Sequence, residues 1–197
     1  MRPKIRPFSA SLLFCVSALA AGPAGSAEQA APPTNPNFHV FCQYRVAATF
    51  PAAPMTRDIT YSNAGSSVPA RQFYVQEGMN LYSVTVVDFA NGPAIDDTIL
   101  ENAATTIRQR GKVQDQFPED YSPGIPGRQL NVFDPDGRQH RVSLYMADHR
   151  LYIGESFATP GDFAALQFEQ SVLLLDASGG DLNNAVPANR QHYPCGQ

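Results

Sequence analysis

Two cysteines, Cys42 and Cys195, stand 153 residues apart in a chain whose first 27 residues read as a removable leader. Arg2, Lys4 and Arg6 precede an apolar run from Ser9 to Ala21, and the small residues Gly25-Ser26-Ala27 follow. A basic start, an apolar middle and a small-residue end describe a secretory signal, cut before Glu28 or, alternatively, after Ala20. Pro23 and the small residues after the apolar run argue against a retained anchor. Cys15 lies inside that run after Phe14, where a lipoprotein signal requires a small residue, so lipid attachment is not expected.

Export decides how the cysteines are read. In an oxidising compartment the two that remain after cleavage most often pair, and two thiols allow a single intramolecular connectivity. The competing reading makes Cys42 a nucleophile or metal ligand. Strand burial would raise its thiol pKa, and no His/Cys cluster surrounds it in the sequence. A bridge closing so long a loop restricts the unfolded chain by roughly 5 kcal/mol at most. It would also tether residues 177–197, a Gly- and Asn-rich tail, to the first strand.

The chain beyond the leader is long enough for a single hydrophobic core. It carries 11 Lys+Arg against 18 Asp+Glu, a formal charge of −7, because Arg2, Lys4 and Arg6 leave with the signal. That balance excludes general binding to nucleic acid or to an anionic membrane surface, both of which require clustered positive charge. After cleavage no apolar run approaches the ~20 residues of a membrane span. The expected location is therefore the periplasm or the extracellular medium.

The pattern of apolar residues divides the chain into a leader (28–37), one domain (38–176) and the polar tail. Phe38, Val40, Cys42, Tyr44, Val46, Ala48 and Phe50 fall on alternate positions and predict one long half-buried strand, ended by Pro51 and Pro54. Ile59 and Tyr61 predict a short extended piece, and Asn63–Ser67 a turn. Arg71–Gln76 and Leu81–Phe89 read as a hairpin whose second strand is apolar on both parities, hence central. Ile95, Ile99, Ala103 and Ile107 recur every four residues between Asp96-Asp97-Thr98 and the stop at Gly111, which predicts a helix lying on the sheet.

Two further hairpins have registers that turn chemistry settles. Asp134-Pro135-Asp136-Gly137 suits a three-residue loop with a Gly bulge, which sets Leu130 opposite Val142 and Val132 opposite His140. Asp148-His149 suits a two-residue turn with positive φ, setting Met146 opposite Leu151 and Leu144 opposite Ile153. Both hairpins then share one apolar face. The other face carries Asn131, Arg141, Ser143, Tyr145, Tyr152 and Ser156. Thr159-Pro160 predicts the cap and first turn of a short helix over Phe163–Gln170, with the apolar Val172–Leu175 after it. The expected fold class is α+β: an antiparallel sheet with one long and one short helix packed on it.

Several phrases together carry a resemblance: Phe50-Pro51, Gly124-Ile125-Pro126-Gly127-Arg128, Asp136-Gly137, Arg150-Leu151-Tyr152 and the closing Phe168–Asp176 stretch. Over residues 38–176 the chain resembles uncharacterised exported bacterial proteins and, more distantly, the PsbP-like α/β/α sandwich. That resemblance implies a non-enzymatic binding or assembly module whose partner is an envelope protein or a small ligand.

The residues themselves offer two kinds of site. The face bearing Arg141, Tyr145 and Tyr152, with Asn131 and Ser156 beside them, is a candidate ligand-binding surface, since an Arg among tyrosines suits a carboxylate, sugar or peptide. Its alternative is a plain polar sheet face, wet or covered by a helix. Gly154-Glu155-Ser156-Phe157-Ala158 approaches a nucleophile elbow, with His192 later in the chain, and so raises a small serine hydrolase using Ser156. Pro160-Gly161 interrupts the helix such an elbow needs, and too little chain remains for the later strands. His140, His149 and Asp148 do not converge as metal ligands should in this register, and Asp134 with Asp136 lacks the remaining ligands of a calcium loop. Asp96 and Asp97 serve the helix start. No cofactor and no metal are implied.

Overall fold

The computed structural model describes residues 35–63, 66–89 and 97–195. The proposed signal, most of the leader, the tip of the Asn63–Ser67 turn, and Ile95 and Asp96 lie outside the described residues.

The expectation of an α+β fold built on one long helix is overturned. The described residues are mostly β: a seven-stranded and a three-stranded antiparallel sheet, with two short helices of 12 and 8 residues. The large sheet has the order β3-β4-β5-β9-β8-β7-β6. Its strands are β3 (Met55–Asn63), β4 (Ser66–Glu77), β5 (Asn80–Asp88), β6 (Lys112–Pro118), β7 (Gly127–Phe133), β8 (Gln139–Ala147) and β9 (Arg150–Ala158). The small sheet joins β1 (Phe38–Phe41), β2 (Val46–Thr49) and the two-residue β10 (Leu173–Leu174) in the order β1-β2-β10.

Both hairpin registers hold. Leu130 pairs with Val142 and Val132 with His140, around a loop in which Gly137 adopts φ 78°. Met146 pairs with Leu151 and Leu144 with Ile153, with Asp148 and His149 at φ 48° and 60°. The Arg71–Phe89 hairpin also forms, and β5 lies inside the sheet with Tyr82, Val84, Val86 and Val87 buried. Helix α1 (Asp97–Arg108) buries Ile99, Leu100, Ala103, Ala104 and Ile107 against the apolar face made by Leu130, Val132, Val142, Leu144, Met146, Leu151 and Ile153.

Three local expectations are corrected. Phe38–Phe50 is a hairpin folded on itself. Cys42–Tyr44 form a 3-10 turn, Arg45 takes a left-handed conformation at φ 53°, and Phe41 pairs with Val46. Continuous alternation cannot reveal one residue that reverses the chain. The extended piece at Ile59–Tyr61 is a nine-residue edge strand, β3. The cap of helix α2 (Phe163–Gln170) is Asp162, whose side chain accepts from the Ala165 amide, so Pro160 stands before the helix instead of opening it.

The second face of the large sheet is covered as well. Helix α2 and the small sheet lie on it, and Phe50, Phe73, Tyr82, Val84, Tyr145, Tyr152, Phe168, Val172 and Leu174 form a second core. Gly127 makes room within this layer. A Cβ there would stand 2.3 Å from the Glu119 carbonyl oxygen and 2.4 Å from the Tyr145 ring. The tail is ordered. Asp176 accepts from the amides of Ser178 and Gly180, the Ser178 hydroxyl and the Arg190 guanidinium. Burial works against the charge of Asp176, but those donors outweigh it and hold the carboxyl far below its usual range. The Cys42–Cys195 disulfide, with Cα atoms 5.2 Å apart, ties the tail beside β1.

Candidate functional site

Cross-strand pairing builds the site as two rows on the second sheet face. Asp115 pairs with Asn131, Asn131 with Arg141, and Arg141 with Ser156, so four strands present these side chains in one line. The neighbouring row runs Phe117, Gln129, Ser143 and Gly154. Helix α2 covers the β9 end of both rows and leaves the β6 and β7 end open. Where the cover stops, Arg141 meets Glu169 of α2, Nη2 to Oε2 at 3.9 Å.

The open end is a cleft of about 340 Å³ lined by Gln114, Asp115, Phe117, Gln129, Leu130, Asn131, Gln139, Arg141 and Glu169. Its amides are already aligned. Gln139 donates to Asn131 Oδ1 at 2.7 Å, and Asn131 donates to Asp115 at 3.2 Å. At the cleft, Arg141 Nε is shielded from solvent without a hydrogen-bond partner among the described residues, as is Ser143 Oγ in the neighbouring row, outside the lining. The Glu169 side chain is only 5% exposed, against 28% for Arg141. Burial pushes the Glu169 carboxyl above its ordinary range, Arg141 offsets part of that, and Glu119 adds to it.

The five candidate residues therefore separate. Asn131 and Arg141 line the cleft. Tyr145 and Tyr152 pair with each other two rows away and are buried in the second core. Burial raises the pKa of both hydroxyls; the Gln129 side chain bonded to Tyr145 and the Arg150 charge beside Tyr152 partly oppose that. Ser156 shares the row of Arg141 but is fully buried under α2, where its hydroxyl donates to the Ala165 carbonyl at 3.1 Å. It is not presented to solvent as an elbow nucleophile must be. The sequence does not single out Glu169, Asp115, Gln129 and Gln139 as site residues. The register places Gln129 on the second row and Gln139 one row beyond Arg141, opposite Phe133 and Ala158; Glu169 reaches the cleft only because α2 folds back.

On the opposite face, beside α1, His140 Nδ1 lies 2.8 Å from Glu155 Oε1, and Arg110 reaches the same carboxylate. Burial pushes the Glu155 pKa up, yet His140 and Arg110 outweigh it and hold the carboxyl low. His140 stacks on Phe157 at 4.1 Å, and the Arg138 guanidinium covers the same ring at 3.6 Å. His149 sits on its turn, away from this cluster by register. Among the described residues, no group of three or more His, Cys, Asp or Glu is placed to hold a metal ion, and no helix is long and apolar enough to cross a membrane. No protein-family model, curated protein or solved structure matches the chain.

Proposed function

We propose that the chain is an exported, non-enzymatic binding module of the periplasm or cell envelope, and that it binds through the Arg141–Glu169 cleft. The observation that carries this reading is the buried Glu169 carboxylate facing a guanidinium whose Nε has no partner. Folding alone gains little from such an arrangement, since a desolvated charge pair at 3.9 Å recovers less than a close, hydrogen-bonded one. A ligand that hydrogen-bonds the exposed part of the Arg141 side chain recovers part of the difference. The disulfide supports an oxidising compartment, and the resemblance to non-enzymatic exported modules leans the same way.

Thermal melting of the disulfide-bonded protein against oligosaccharides, peptidoglycan fragments, short peptides and dicarboxylates tests the binding reading. At least one class is expected to raise the Tm of the wild type and not that of Arg141→Met. A panel that leaves the wild type unmoved, or moves both proteins equally, overturns it. Fractionation of the native host, with the mass of the mature chain, tests export. A protein starting at Glu28 or Ala21 in the periplasm or medium is expected.

A further inference from the structure

Resting on that reading, we infer that the ligand of the Arg141–Glu169 cleft is a neutral saccharide. Three features of the cleft lead to this class. The first is charge. The lining sets one cation, Arg141, against two carboxylates, Asp115 and Glu169, so it is not cationic and a free carboxylate or phosphate would meet net repulsion. An amine is drawn to the carboxylates, but the Arg141 guanidinium already stands 3.9 Å from the buried Glu169 and repels a second cation there.

The second feature is the mixture of hydrogen-bonding groups. Gln114, Gln129, Asn131 and Gln139 each bring a donor and an acceptor, Arg141 brings donors only, and the two carboxylates bring acceptors. A hydroxyl donates and accepts at once. A ring carrying several hydroxyls at fixed spacing can satisfy such a lining, including the exposed part of the Arg141 side chain, without importing charge. An extended peptide would instead seek the free edge of β6. There the bulge between Val113 and Asp115 interrupts the ladder, and Pro118, with no amide hydrogen, closes the strand.

The third feature is the wall. Phe117 stands at the rim and is 45% exposed, a large apolar ring left in water beside a polar cleft. The C–H face of a pyranose is the apolar counterpart such a ring can cover, while the hydroxyls at the sugar's edge reach Asn131, Gln139 and Arg141. One ring against Phe117 with its hydroxyls on the amide row fits a volume of about 340 Å³.

The test is an NMR titration of the isotopically labelled, disulfide-bonded protein with tri-N-acetylchitotriose and with maltotriose, alongside glutarate and trialanine. A saccharide is expected to shift the amides of Phe117, Asn131 and Gln139 saturably. Arg141→Met and Phe117→Ala are each expected to weaken it roughly tenfold, the size of one lost charged hydrogen bond or one ring face. Met79→Ala, in the exposed β4–β5 turn, is expected to bind as the wild type does. Dispersed spectra of each variant establish that it is folded. Saccharide shifts that persist unchanged in Arg141→Met would overturn the inference. Shifts by glutarate or trialanine alone would overturn it too, while leaving the binding reading intact. Silence from all four probes would sink the saccharide inference, and a thermal panel equally silent would take the binding reading with it.

Discussion

Arg141 on β8 and Glu169 on α2 face each other across 3.9 Å at the point where α2 stops covering the sheet. The two differ in access to water: Arg141 keeps 28% of its side chain exposed, whereas Glu169 lies on the buried side of its helix. The pair marks the boundary between the second core and the open cleft.

Glu169 carries a pH signature. Its pKa is raised above the ordinary 4.5 in the folded state. Ionisation therefore weakens the fold as pH rises from that value through the raised one. Glu169→Gln should be more stable than the wild type at pH 7, and the difference should vanish below about pH 4.5. Urea unfolding at both pH values reads the effect; a stability difference independent of pH would contradict it.

Glu155 should behave with the opposite sign. Its pKa is depressed below 4.5 because His140 and Arg110 outweigh its burial. The stabilisation it supplies is present above that value and lost as pH falls through the depressed one. Glu155→Gln should cost about 2 kcal/mol at neutral pH, the scale of charged hydrogen bonds lost. That deficit should shrink on acidification, measured by the same unfolding series.

Reduction of the Cys42–Cys195 bridge should release the tail before the sheets. The network around Asp176 and the Phe38–Tyr193 ring contact at 5.1 Å depend on the tail staying in place. Cys195→Ser should lower global stability by no more than roughly 5 kcal/mol. Hydrogen exchange should quicken first at residues 176–195; uniform acceleration across β5 and β9 would show that the tail is no separate unit.

Gly127→Ala should cost about 2 kcal/mol, within the range for an overpacked site. The new methyl would press on the Glu119 carbonyl, which is backbone and yields little, and on the Tyr145 ring. Denaturant midpoints check this. An unchanged midpoint would mean that the Glu119 segment moves freely.

Ser156 should resist fluorophosphonate labelling, since its hydroxyl is buried and bonded to the Ala165 carbonyl. Intact mass should show no adduct on the native protein. A stoichiometric adduct that disappears in Ser156→Ala would restore the hydrolase reading.

The sequence by itself determined those features whose physics is short-range. Gly137, Asp148 and His149 adopt the positive φ their turns require, and each turn sets the register of the strands beside it. The four-residue recurrence through Ile99, Ala103 and Ile107 became the buried stripe of α1. Cys42 pairs with Cys195, the single intramolecular pairing expected of the two cysteines beyond residue 27.

Tertiary structure alone decided which surfaces stay wet. Tyr145, Tyr152 and Ser156 share a face with Arg141, yet the three are buried because α2 and the small sheet stack on that face. Strand β6 is polar and mostly exposed, so no alternation marks it, and pairing with β7 makes it a strand. Burial of this kind depends on segments far apart in the chain, and no local pattern around Arg141 records that Glu169 will arrive 28 residues later to close one end of its cleft.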